Sequence, residues 1–158
     1  MMNIRRAQEK DMETIHRLLM QVAAIHHQGR PDLFRAGTRK YSDEELARII
    51  RDDRRPVLVA EGPDGAVQGY AFCIFQQYTD SLLMTDIKTL YIDDLCVDAN
   101  CRGKGVGRAL YDAVLTFARQ QNCYNVTLNV WSCNTDALKF YERCGLKPQK
   151  IGLETILR

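Results

Sequence analysis

The run Leu95 to Leu110, LCVDANCRGKGVGRAL, constrains this chain more than any other stretch. A short apolar strand ends at Val97, a polar turn follows, three glycines alternate with Lys104 and Val106, and a helical pattern then begins. The first turn of a helix has backbone N–H groups without acceptors inside the helix, and the dipole there favours negative charge. Glycine lets a ligand approach the backbone closely and adopts conformations that other residues avoid. Arg102, Lys104 and Arg108 add formal positive charge on both sides. The combination predicts a site for a phosphate-bearing ligand. The pattern GxxxxGK[ST] is absent because Gly105 follows Lys104, and GxGxxG started at Gly103 ends on Arg108. The alternative is a glycine-rich surface turn before an ordinary helix.

Composition narrows the ligand. A chain of 158 residues, 46% apolar and 27% charged, is expected to form one globular domain over 1–158. A net charge of +2 supplies no strong field for nucleic acid or an anionic membrane. The basic cluster at 102–108 is local and suits a small phosphorylated molecule. No apolar run reaches membrane-spanning length and the first residues lack the apolar core of a signal peptide, so a cytoplasmic location is expected. The six cysteines, at 73, 96, 101, 123, 133 and 144, include no CxxC. His16, His26 and His27 have no cysteine at finger spacing, and no metal site is expected. Reduced thiols are the default, and no base partners a nucleophilic Cys96 or Cys133.

Periodicity predicts the remaining elements. Residues 2–6 read as a short strand, and Met12, Ile15, Leu18, Leu19, Val22 and Ile25 mark an amphipathic helix ending near His26 or His27. Residues 31–37 are a loop. Ser42 and Glu45 form a capping box for a helix whose inner face is Leu46, Ile49 and Ile50. Strands follow at 56–61, 66–77 and 89–97, with a hairpin turn at 62–65 and a loop at 78–88. After the glycine turn come a helix to about Gln121, a strand at 125–131, a helix from Asn134 to Cys144 capped by Gly145, and a last strand at 150–157. The order β-α-α-β-β-β-α-β-α-β predicts an α/β (α+β) fold, with a mixed, mostly antiparallel sheet and helices on both faces.

The segment ValAsp…ArgGlyLysGlyValGly resembles the pyrophosphate-binding motif of the GCN5-related N-acetyltransferases (GNAT). About thirty residues later, Asn134, Ala137, Phe140, Tyr141, Gly145 and Leu146 match that family's N-x-x-A-x-x-F-Y-x-x-x-G-[FL] signature. The element order is also that of the family. The match is strongest from Ile92 to Leu146, and the first 60 residues match in pattern only.

The resemblance implies an acetyl-CoA-dependent N-acetyltransferase acting on a primary amine of a small molecule or peptide by direct attack, as monomer or homodimer. Its partners would be acetyl-CoA and the amine, with neither nucleic acid nor membrane. It assigns the pyrophosphate to the backbone of Arg102, Gly103, Lys104, Gly105, Val106, Gly107 and Arg108, and the pantetheine arm to Leu95, Cys96 and Val97, with Asn134 nearby. Cys96 would be the backbone donor to the thioester oxygen. Tyr141 would protonate the leaving thiolate, the alternative being a helix aromatic packed on the sheet. Asp93 would anchor the amine or relay its proton, or be a solvated strand acid. Asp93 and Asp94 are adjacent in one strand and are expected on opposite faces. His26, Asp32 and Phe34 are acceptor-site candidates, although a histidine at a helix C-terminus is also favourable against the dipole. A non-catalytic CoA-binding regulator on the same fold and a nucleotide-binding protein are the rival readings.

Overall fold

A computed structural model describes residues 2–158. Five strands lie in the sheet order β1-β2-β3-β4-β5: β1 Asn3–Arg6, β2 Val57–Glu61, β3 Val67–Gln77, β4 Lys88–Val97 and β5 Asn125–Leu128. All neighbours are antiparallel except β4 and β5, which run parallel. The helices are α1 Met12–Gly29, α2 Asp43–Arg51, α3 Val106–Gln120 and α4 Thr135–Arg143.

The two-residue period of β2 explains how the core divides. Val57 and Val59 face α1 and α2, where they meet Ile15, Leu18, Leu46 and Ile49. Leu58 and Ala60 face the other way and meet Leu110 and Val114 of α3. The sheet is therefore covered on both faces. Ser42 caps α2 as its spacing predicts, with Ser42 Oγ accepting from the Glu45 N–H and the Glu45 carboxylate accepting from the Ser42 N–H. Such a cap contributes about 1 kcal/mol.

Two departures from the predicted elements matter. The strand expected at 125–131 stops at Leu128, and the strand expected at 150–157 does not form. Residues 146–158 carry no regular structure, and Ile151, Leu153 and Leu157 are exposed. The apolar alternation is present there, but no ladder receives it. The side chain of Glu154 instead pairs with Arg30 at 2.5 Å, near the end of α1.

The break in β5 sets up the site. β4 and β5 pair only from Thr89↔Asn125 to Ile92↔Leu128, while β4 continues to Val97 paired with β3 alone. A second irregularity lies on the other side of β4. Phe72 pairs with Asp94 and Cys73 with Ile92, so Asp93 is the extra residue of a β-bulge.

Candidate active site

The split β4, the start of α3 and the end of α4 converge. The Asp98 N–H donates to the Gln68 carbonyl at 2.8 Å, and a methyl group added at Gly69 would lie 2.6 Å from the Cys96 carbonyl oxygen. Asp98 and Cys96 therefore turn their main-chain groups toward β3, and by the alternation of an antiparallel ladder Leu95 and Val97 turn theirs away from it. Past Ile92 there is no β5 to meet them. The Val97 carbonyl accepts from Gln21 Nε2 of α1 at 3.0 Å, and the Ala99 N–H donates to Gln21 Oε1 at 3.1 Å. The Leu95 N–H and C=O and the Val97 N–H remain facing the gap. This corrects the expectation for Cys96: its N–H belongs to the ladder with Tyr70, and the donor facing the gap is that of Leu95.

The glycine turn is built for an anion. Gly103 and Gly105 have φ of 77° and 80°, the left-handed region that favours glycine, and Gly105 is the N-cap of α3. A methyl group on either would meet nothing within 4 Å. The first N–H of α3 to find a helical acceptor is that of Ala109, bonded to the Gly105 carbonyl at 3.0 Å. Those of Val106, Gly107 and Arg108 point out of the helix end. Arg102 and Lys104 have no side-chain hydrogen-bond partner among the described residues, whereas Arg108 Nε donates to Asp112 at 3.1 Å. At Gly107 an added methyl would lie 3.2 Å from the Phe140 ring and 3.4 Å from Val97, so this glycine permits the close approach of α3, α4 and β4. Asn134 caps α4, its Oδ1 accepting from the Ala137 N–H at 3.3 Å.

Tyr141 lies one residue beyond Phe140 and packs edge-on against it at 5.2 Å. Burial pushes its phenol well above the usual range, and the Asp94 carboxylate pushes further in the same direction. The gap between β4 and β5 explains how a residue of α4 comes within electrostatic reach of Asp94, on the opposite face of the sheet.

The bulge also overturns the expectation that Asp93 and Asp94 point apart. Two bulged residues oppose one on the partner strand, and both acids act on Lys40. Lys40 Nζ lies 3.4 Å from Asp93 Oδ2, and Asp94 adds its attraction through space. Asp94 accepts from the Tyr70 hydroxyl at 2.6 Å. Burial raises the Asp94 carboxyl above the ordinary carboxylate range, opposed by the Tyr70 hydrogen bond and by Lys40. Sequence reasoning weighed Asp93 and Asp94 and favoured Asp93; it did not single out Tyr70, Lys40 or Gln21. The only available signal was the Asp-Asp pair inside an apolar strand.

Of the three acceptor-site candidates, two come together here. His26 stacks obliquely on Phe34 with ring centroids 5.0 Å apart, and Phe34 meets Trp131 edge-on at 5.2 Å. Burial lowers the His26 pKa, with the Asp94 carboxylate pulling the other way. Asp32 does not join them, since both its oxygens accept from Arg30, at 2.9 and 2.8 Å. Burial pushes the Cys96 thiol up to about 12, which keeps it protonated and poorly nucleophilic. Among the described residues, no group of three or more His, Cys, Asp or Glu side chains could hold a metal ion. No helix is long and apolar enough to cross a membrane.

The raised carboxyl of Asp94 makes stability depend on pH. Its folded pKa lies above the unfolded value, so the folded state binds the proton more tightly. Stability falls as pH rises from the unfolded pKa through the folded one, and the loss persists at neutral pH. Asp94→Asn removes that loss while its amide oxygen still accepts from Tyr70. The variant is expected to melt higher than the parent at pH 7, with the difference vanishing in acid. Melting curves across pH check this; an unchanged or lower melting temperature at pH 7 would mean the carboxylate is stabilised where it sits.

The mixed sheet is split at its parallel pair, and a glycine-capped helix lies beside the split. The model of the Acetyltransferase (GNAT) family matches residues 22–146, and the chain belongs to that family. Over 115 residues it is 31% identical to glucosamine 6-phosphate N-acetyltransferase of Arabidopsis thaliana, covering 73% of this chain and 67% of that enzyme. It is 32% identical over 104 residues to streptothricin acetyltransferase of Streptomyces lavendulae, covering 66% of this chain but only 51% of that enzyme. Its structure superposes on a tetramutant of the BH1408 protein from Bacillus halodurans with a TM-score of 0.93, 29% identity, and coverage of 98% and 99% of the two chains.

Proposed function

We propose that this chain is, over residues 1–158, a single-domain N-acetyltransferase that moves an acetyl group from acetyl-CoA to a cationic small-molecule amine. The observation that carries the reading is the free edge of β4 beyond Ile92, beside the open N-terminus of α3 and within reach of Tyr141. The residues fit the cosubstrate. The N–H groups of 106–108 and the open space at Gly103 and Gly105 suit a pyrophosphate, with Arg102 and Lys104 as unpaired cations alongside. The main chain of Leu95 and Val97 suits an amide-bearing arm, which would add to β4 as a strand does. Bound there, acetyl-CoA supplies the activated acyl group.

The protein's own groups do the rest. The Leu95 N–H polarises the acyl oxygen, and such preorganised donors stabilise developing negative charge. Asp93 and Asp94 draw the ammonium group in and lead its proton to water. The elevated carboxyl of Asp94 makes it a better proton acceptor than an ordinary carboxylate. Tyr141 stays protonated at neutral pH and gives its proton to the departing sulfur. His26, Phe34 and Trp131 form an aromatic wall on the acceptor side. The relative named as a glucosamine 6-phosphate N-acetyltransferase supports an amine as the acceptor. All six cysteines are free, which supports action in the reducing cytoplasm.

The test is thiol release across polyamines, aminoglycosides, amino sugars, amino acids and amino-terminal peptides, together with melting curves in acetyl-CoA, NAD and ATP. Acetyl-CoA alone is expected to raise the melting temperature, and cationic amines to turn over. Turnover restricted to neutral or anionic acceptors would remove Asp93 and Asp94 from the acceptor site. Acetyl-CoA binding without any turnover would favour a regulatory CoA sensor.

A further inference from the structure

Lys40 meets the two acids that the reading above assigns to the acceptor amine. It stands at the end of the loop between α1 and α2, and its ammonium lies 3.4 Å from Asp93 Oδ2 and 5.4 Å from the centroid of the Tyr41 ring. Asp94 attracts it as well. These acids form the only carboxylate pair along the split half of β4, and Asp94 is also the carboxylate nearest in influence to Tyr141. A primary amine on a flexible stem, held by the bulge acids and an aromatic face, reproduces the chemistry of a small cationic acceptor. The Lys40 side chain remains 44% exposed, so the stem is not locked and can be exchanged for an incoming amine.

We propose that Lys40 is an internal acceptor: the enzyme acetylates its own Lys40, and the modification releases Asp93 and Asp94 for external amines. The inference rests on the acetyl-transfer reading above. In the step, an ammonium proton first passes to Asp94 or Asp93 and on to water. Lys40 Nζ then attacks the carbonyl carbon of the acetyl thioester, a C–N bond forms, and the C–S bond breaks. The attacking nitrogen passes its second proton to solvent by way of Asp94 or Asp93, and the sulfur leaves with the Tyr141 proton, which solvent replaces. No oxidant, reductant or metal is needed. The product amide is neutral, so its hold on the two carboxylates is lost and the loop carrying it is freed from them. The titratable and charged groups facing Lys40 are Asp93 and Asp94 from β4, Tyr41 from its own loop and His26 from α1, which lies within influence of both Lys40 and Asp94.

The experiment incubates the whole protein with acetyl-CoA and no added amine, then reads intact mass and maps the modified peptide. The expected result is one acetyl group per chain, on Lys40. Its rate should be independent of protein concentration, because donor and acceptor sit in one molecule. Tyr141→Phe should slow it about 100-fold, whereas labelling by free chemistry would be unaffected. Lys40→Arg keeps the charge and removes the nucleophile, so it should stay unlabelled at this position. The parent should also show a lag in turnover of external amine that pre-incubation with acetyl-CoA abolishes. If external amines release thiol while Lys40 stays unmodified, or if Tyr141→Phe labels as fast as the parent, the inference fails and the transferase reading stands. If acetyl-CoA binds but neither Lys40 nor any amine is acetylated, both fail together.

Discussion

Gly105→Glu is expected to abolish the thermal stabilisation that acetyl-CoA confers. A ligand present at a hundred times its dissociation constant stabilises a fold by about 2.7 kcal/mol. In a domain of this size that corresponds to roughly 5 to 10 °C in melting temperature. Gly105 is the left-handed N-cap of α3, and a side chain added there enters open space rather than the core. The variant should therefore fold, at a cost of about 1 to 2 kcal/mol for the left-handed conformation. What it adds is a carboxylate at the three outward N–H groups and the positive end of the helix, where the proposed pyrophosphate would lie. Gly105→Ala separates the two effects. It carries the same conformational strain without charge, so it should melt lower than the parent yet keep most of the ligand shift. A Gly105→Glu protein that still gained the full shift would place the phosphates elsewhere.

That prediction could be framed from the sequence because the glycine turn is a local device. A strand end, alternating glycines and a helix start are consecutive in the chain, and the physics of a helix N-terminus depends on little else. The two-faced core was legible for a related reason: β2 is a continuous apolar run, as suits a strand buried on both faces, and α1, α2 and α3 each show an apolar stripe. The capping box at Ser42 and Glu45 is likewise contained in four residues.

What was not legible depends on pairing between distant segments. Whether Asp93 and Asp94 point apart or together is decided by the register of β4 on β3, and the bulge between Phe72 and Cys73 leaves no mark in either strand. The Cys96 expectation failed for a related reason. Which residues turn their N–H groups toward β3 depends on the same register, fixed near the strand end by Asp98 and Gln68. Asp32 looked like a free loop acid, but Arg30, two residues away, closes on both its oxygens. Lys40 meets Asp93 across 53 residues of chain. At 150–157 the apolar alternation is strand-like, yet a strand needs an edge to pair with, and residues 129–131, before the turn into α4, do not extend β5 to offer one.

Tyr141→Phe should lower kcat by about 100-fold or more while leaving acetyl-CoA affinity nearly unchanged, since general acid catalysis typically contributes that much. A 100-fold loss corresponds to about 2.7 kcal/mol of transition-state stabilisation. The substitution removes one hydroxyl and preserves the ring that packs on Phe140 at 5.2 Å, so the fold and the glycine turn should be undisturbed. Burial and the Asp94 carboxylate both favour the protonated phenol, which makes Tyr141 a donor that does not titrate away near neutral pH. A slower rate by itself would not distinguish proton donation from a small shift in geometry. The leaving group can. A thiol that is a stronger acid than CoA departs readily as the thiolate and needs no proton from the protein. With an acetyl thioester of such a thiol, the defect of Tyr141→Phe should shrink toward that of a purely structural change, whereas a misplaced ring would slow both donors alike. Equal defects with the two thioesters would return Tyr141 to the role of a helix aromatic packed against Phe140, and leave the departing sulfur to be protonated by water in the gap beyond Ile92.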